Sequence, residues 1–234
     1  MSLQIEPILC RPNTMDNYAY LLTDTQTEES AIIDASEAEP IIRVCEQKNI
    51  QPKYILVTHH HEDHTNGNLP LKKKYNLQIA VPRLESSLID GADILLSEND
   101  TFSLGKSTAK IISAPGHTNG HILYYFTEDK ALFTGDVLFN LSIGGLFEGT
   151  PQQMWNSLNK IKKLPDDVCF YGGHEYTGFG LSHLSDDEDA KKYLAFIQEK
   201  LGKNLPLTGI PLGLEKKCNP YLKINAEEEF YRLF

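Results

Sequence analysis

The residues following Tyr54-Ile-Leu-Val57 constrain this chain more than any other stretch. A continuous apolar run, read as a buried strand, leads directly into Thr58-His-His-His-Glu-Asp-His64. Imidazole and carboxylate in the pattern His-x-His-x-Asp-His suit zinc, iron or manganese rather than calcium or magnesium. On an extended loop side chains alternate, so His59, His61 and Asp63 are expected on one side. His64 would then turn toward a second centre, with His60 a bystander. A solvated polar turn is the plainer reading, but so dense a run of imidazole straight after a strand exceeds what composition supplies. The metalloprotease pattern His-Glu-x-x-His does not apply, because Thr65 stands where its second His is required.

Three further positions have the same setting at the end of an apolar run: His117 in Ala114-Pro-Gly-His-Thr118, Asp136 in Phe133-Thr-Gly-Asp136, and His174 after Tyr171-Gly-Gly. Singly each reads as a turn. Together with the first motif they make seven donors (His59, His61, Asp63, His64, His117, Asp136 and His174), enough for two centres with one shared ligand. His121 is expected behind them and His183 at the surface.

The remaining pattern is that of an ordinary globular chain, 41% hydrophobic and 23% charged over 234 residues. A net charge of −10 argues against nucleic acid and anionic membranes as partners. Lys72-Lys-Lys74 reads as a solvated helix face. The four cysteines have no Cys-x-x-Cys spacing, which fits a reducing compartment. With no basic-apolar leader and no long apolar run, the expected location is the cytoplasm. Short strands are read at Tyr18 to Thr23, Ala31 to Asp34, Gln78 to Val81, Lys110 to Ala114, Ile122 to Thr127, Ala131 to Thr134 and Val168 to Tyr171. Helices are read at Pro40 to Lys48, Asn68 to Tyr75, Pro151 to Lys163 and Asp187 to Leu201. Without regular βαβ alternation, this favours an α+β fold with mixed sheets. Two parts are expected, 1–175 and a short helical segment 176–234.

In this order, Thr58-His-x-His-x-Asp-His64, Pro115-Gly-His-Thr118, Gly135-Asp136 and His174 resemble the metallo-β-lactamase superfamily. Phe147-Glu-Gly-Thr150, Gly173-His-Glu-Tyr-Thr177 and Asn219-Pro-Tyr-Leu-Lys-Ile224 narrow the resemblance to the glyoxalase II (hydroxyacylglutathione hydrolase) family. The resemblance implies an αββα sandwich with a small C-terminal helical part. It implies one metal ion on His59, His61 and His117, a second on Asp63, His64 and His174, and Asp136 between them. The expected cofactor is two divalent ions per chain, zinc first, with iron or manganese as alternatives. Asp63 and Asp136 are the expected catalytic carboxylates.

The implied reaction is hydrolysis of a small-molecule thioester, S-D-lactoylglutathione. A thioester suits a site with no dedicated acid, since its thiol leaving group has a pKa of about 8.5. Oxygen-reducing di-iron relatives carry a carboxylate where this chain has His61. An iron-dependent persulfide dioxygenase would use a single metal, against which the second set Asp63, His64 and His174 stands. A purely structural metal site would be closed by four ligands. The resemblance thins in the substrate loop. Gly145 stands in the place of a Lys and Phe147 in that of a Tyr, while Tyr176 is retained. Arg232 is the one strong cation of the acidic stretch 225–234. Phe147 and Tyr176 are therefore the expected substrate contacts.

Overall fold

The computed structural model describes residues 2–182 and 184–234. Its first sheet begins with a meander, β1 (Leu3–Cys10), β2 (Asn17–Asp24) and β3 (Ser30–Ile33), paired antiparallel. The chain then crosses over through α1 (Ala38–Lys48) to β4 (Tyr54–Leu56), parallel to β3. Two short helices follow, α2 (Glu62–Thr65) and α3 (Asn68–Tyr75), before the parallel strands β5 (Gln78–Pro82) and β6 (Ile94–Leu96). A 3₁₀ turn at Arg83–Leu88 joins those two strands. Sheet order follows chain order from β1 to β6.

The second sheet starts with four antiparallel strands, β7 (Thr101–Leu104), β8 (Ser107–Ser113), β9 (Ile122–Phe126) and β10 (Ala131–Gly135). After β10 the chain forms a small hairpin of β11 (Leu138–Phe139) and β12 (Ser142–Ile143), then the helix α4 (Pro151–Lys162). Strand β13 (Cys169–Gly172) returns parallel to β10. Among the described residues that follow are the helices α5 (Thr177–Leu181), α6 (Glu188–Gly202), α7 (Leu212–Cys218), α8 (Pro220–Lys223) and α9 (Glu227–Tyr231). Strand β14 (Ile210–Pro211) adds to the free edge of β13. The segment after residue 175 is therefore continuous with the second sheet.

Side-chain alternation explains the layering. In β2, Tyr18, Tyr20 and Leu22 join Phe126 and Phe133 of the facing sheet, whereas Ala19 and Leu21 join Ile41 and Cys45 of α1. A strand buried on both faces must read as a continuous apolar run, which is how β2 to β5 read. A third apolar layer packs Met154 and Leu158 of α4, Tyr193 of α6 and Phe230 of α9 under Leu132 and Phe170 of the second sheet. Three apolar layers between four structural ones make an αββα sandwich. Helix α4 starts on a capping box, with Thr150 and Gln153 exchanging side-chain to backbone hydrogen bonds and Pro151 in the first turn. Pro40 sits inside the first turn of α1, which begins at Ala38. It is tolerated there because the first N–H groups of a helix lack intrahelical acceptors. Lys72 and Lys74 pair with Asp93 and Glu46, as a solvated helix face would. Among the described residues, no helix is long and apolar enough to cross a membrane.

Candidate metal centre

Loops from both sheets deliver their polar residues to one end of the sandwich. Beyond β4, the Thr58 N–H and hydroxyl donate to the two oxygens of Asp34, at 2.8 and 2.7 Å, and this fixes where the His run begins. His61 is the last residue before α2, and the His64 N–H donates back to the His61 carbonyl at 2.9 Å. Asp63 is thus helical rather than extended. The alternation expected for a loop fails there: the structure groups His59 and His61 with His117, and Asp63 with His64 and His174. Acidic residues at positions 62 and 63 favour a helix N-terminus, and that physical preference displaced the extended register.

The ring nitrogens are pre-oriented. His117 Nδ1 donates to the Gly145 carbonyl at 2.8 Å and His174 Nδ1 to the Met15 carbonyl at 2.7 Å. His64 Nδ1 donates to Asp34 Oδ2 at 3.1 Å. The Thr58 hydroxyl hydrogen is committed to Asp34 as a hydrogen-bond donor, so its oxygen accepts from His59 Nδ1 at 3.0 Å. Each of these four rings has its N–H tied outward, which leaves Nε2 with a lone pair facing in. These lone pairs converge on one another. His117 Nε2 lies 2.9 Å from His61 Nδ1, His64 Nε2 lies 3.3 Å from His174 Nε2, and the fully buried His59 Nε2 has no hydrogen-bond partner.

Carboxylates complete both groups. Asp63 Oδ2 lies 3.4 Å from His64 Nε2 and 3.3 Å from His174 Nε2. Asp136 spans them, with Oδ2 3.4 Å from His117 Nε2 and 3.2 Å from His174 Nε2, and Oδ1 3.2 Å from His64 Nε2. Burial opposes charge on Asp136, yet His64 and His174 hold its carboxyl well below the usual carboxylate range. Burial likewise opposes charge on His64, but Asp136, Asp34 and Asp63 raise it well above an ordinary imidazole, so without a cation a proton takes up the inward Nε2 lone pair, and a cation binding there would displace it. Converging lone pairs and carboxylates ask for cations, and this donor set fits divalent ones.

Gly173 is required by this geometry. A Cβ there would lie 2.3 Å from Asp136 Oδ1 and 2.7 Å from His64 Cε1. His121 stacks on His59 at 4.8 Å, and its Nε2 accepts from the Asp136 N–H at 3.1 Å. His183, expected at the surface, lies outside the described residues.

Asp34 and Asn17 escaped the sequence reading. Asn17 Nδ2 donates to Asp63 Oδ2 at 2.9 Å. Asp34 does end an apolar run, as His117 and Asp136 do, but one carboxylate there looks like any turn.

A cavity of about 650 Å³ opens beside the cluster, with His61, Asp63, His117, Asp136 and His174 in its wall. Phe147 and Tyr176 also line it; Arg232 does not. The Phe147 ring stands edge-on to His61 and His117, at 5.6 and 5.2 Å, and Tyr176 stacks on His174 at 4.7 Å.

The profile of the metallo-beta-lactamase superfamily matches residues 13–174. A hydroxyacylglutathione hydrolase of Pelagibacter ubique (strain HTCC1062) is 43% identical over 235 residues, which cover 99% of this chain and 97% of the relative. Among solved structures, the BLEG-1 B3 metallo-beta-lactamase superposes with a TM-score of 0.73 at 26% identity, covering 94% of this chain and all of its own. TTHA1623, solved in a di-iron-bound form, gives 0.69 at 25% identity and covers 93% and 100%. The fold, the convergent donors and the near full-length match together place this chain in the hydroxyacylglutathione hydrolase family of the metallo-beta-lactamase superfamily.

Proposed function

We propose that this protein hydrolyses the thioester S-D-lactoylglutathione to D-lactate and glutathione. The observation that carries the reading is the inward convergence of His59, His64, His117 and His174 Nε2 lone pairs in the wall of a substrate-sized cavity. One divalent ion would rest on His59, His61 and His117 and another on Asp63, His64 and His174, with Asp136 reaching both sets. Zinc suits the donors best, and the di-iron form of TTHA1623 supports iron as an alternative. Bound there, the ions would polarise the acyl carbonyl and acidify water.

The chain's own groups do the rest. Gly145, Met15 and Asp34 hold the rings in place through their outer N–H groups. Asp63 and Asp136 are the carboxylates placed to take the proton as water's oxygen bonds to the acyl carbon. The C–S bond then breaks with its electron pair on sulfur. One water proton ends on the thiol and the other leaves from the carboxylic acid. The apolar wall limits competing water.

Residues 1–175 are read as the catalytic part, and 176–234 as a segment that completes the cavity through Tyr176 and Phe179. Four free cysteines support a reducing, cytoplasmic setting. Metal-reconstituted protein should release free thiol from S-D-lactoylglutathione and lose that activity on chelation. No turnover with two equivalents of metal bound would overturn the assignment.

A further inference from the structure

Around the metal-facing end, the cavity wall is almost wholly apolar. Met15, Phe139, Ile143, Phe147 and Phe179 contribute apolar side chains, and Gly144 and Gly145 contribute backbone. Among the described lining residues outside the donor cluster, the hydroxyls of Ser142 and Tyr176 are the only polar side-chain groups. Among the described residues no Lys or Arg lines it. The Arg11 guanidinium reaches the wall residue Met15, with Nη1 3.9 Å from Sδ. At the rim, Phe147 and Phe179 are 74% and 62% exposed, so both rings are within reach of a ligand entering the cavity.

Glutathione carries two carboxylates and one ammonium at neutral pH. A site that selected it by charge would place guanidinium or ammonium groups in the wall. Beside Arg11, the neighbourhood of the cavity also carries negative charge. Glu148 follows Phe147 directly, and the chain carries −10 overall. Rings and aliphatic chains instead reward apolar contact and stacking.

We propose that the cavity holds the thiol half of its substrate by apolar and ring contact, so that thioesters of uncharged thiols are hydrolysed as readily as the glutathione thioester. This rests on the thioester-hydrolase reading above. The bonds exchanged are unchanged: carbon–sulfur breaks, carbon–oxygen forms, and the uncharged thiol leaves with a proton from water.

The test uses metal-loaded protein and three thioesters of D-lactate: with glutathione, with glutathione diethyl ester, whose carboxylates are capped, and with benzyl mercaptan. We expect kcat/KM for the capped thioester to lie within fivefold of the uncapped one or above it, and the benzyl thioester to be turned over comparably. Phe179→Ala should raise KM for the benzyl thioester at least threefold with kcat little changed. A fall of more than fivefold on capping, which an ion pair to Arg11 would also produce, overturns the proposal and leaves the hydrolase reading standing. An unchanged KM in Phe179→Ala overturns it too. Turnover of none of the three by protein with its metal content verified would instead overturn the hydrolase reading.

Discussion

Glu85 Oε2 accepts from both the backbone N–H and the ring Nδ1 of His60, at 2.7 and 3.0 Å. Its other oxygen accepts from the Thr118 hydroxyl and the Gly120 N–H, at 2.5 and 2.8 Å. One buried carboxylate from the 3₁₀ turn thus ties the His59–His61 loop to the loop that carries His117. The far side of the His60 ring lies 3.1 Å from Glu148, beside the rim residue Phe147. His60 points away from the inward-facing lone pairs and holds two loops in register.

Removing the tie should cost more than removing the ring. Glu85→Ala leaves two backbone N–H groups, a ring N–H and a hydroxyl without an acceptor, and should lower stability by about 2–5 kcal/mol. His60→Ala keeps its own N–H on Glu85, so metal content should hold while kcat/KM falls less than about tenfold. Denaturant unfolding and elemental analysis of both variants check this; equal stability of Glu85→Ala and wild type would refute it.

Asp136 touches both donor sets, so Asp136→Ala should lower metal content to half of the wild-type value or less. Loss of a single outer ligand such as His61 should spare the Asp63, His64 and His174 set. Metal analysis after gel filtration reads the difference.

Gly173→Ala changes no donor, yet its methyl would occupy the space of Asp136 Oδ1 and His64 Cε1. Metal affinity, measured by chelator competition, should fall by at least tenfold. Circular dichroism should remain that of the wild type.

Glu215 lies on α7, fully buried, and accepts from the Leu141 N–H, Asn219 Nδ2 and the Tyr193 hydroxyl. Leu141 is in the turn of the β11–β12 hairpin that lines the cavity. Burial pushes the Glu215 carboxyl up from 4.5 to about 7. Below 4.5 it is protonated whether the chain is folded or not. Between 4.5 and 7 only the unfolded chain releases the proton, so stability falls as pH rises, and above 7 the loss is constant. Glu215→Gln should remove that fall, about 3 kcal/mol. Unfolding free energies at pH 5 and pH 8, compared with wild type, give the number.

The donors were legible because each follows an apolar run that can only be a buried strand, and imidazole in such places has few other uses. Asp34 and Glu85 were not. Asp34 acts only once β3 and β4 lie side by side, and Glu85 is far in sequence from the loops it joins. The alternation argument failed at Asp63 because a single helical turn, α2, interrupts the loop. Helices α7 to α9 lie beyond Leu201, in a part of the helical segment where no individual helix was read. They are short, and their stability comes from packing into the third apolar layer against α4, α6, β12 and β14 rather than from propensity.

The donors divide between the two sheets. His59, His61, Asp63 and His64 follow β4 of the first, while His117, Asp136 and His174 follow β8, β10 and β13 of the second. An ion held by either set would bond to both halves of the sandwich at once, a rivet through the open end of its seam. Apolar packing between the sheets resists separation but is non-directional, so it permits slippage; a coordinated ion would not. Free metal at a thousand times its dissociation constant would add about 4 kcal/mol against unfolding. A chain whose sheets met out of register could not assemble the donors, so every copy able to react would also be a copy correctly closed.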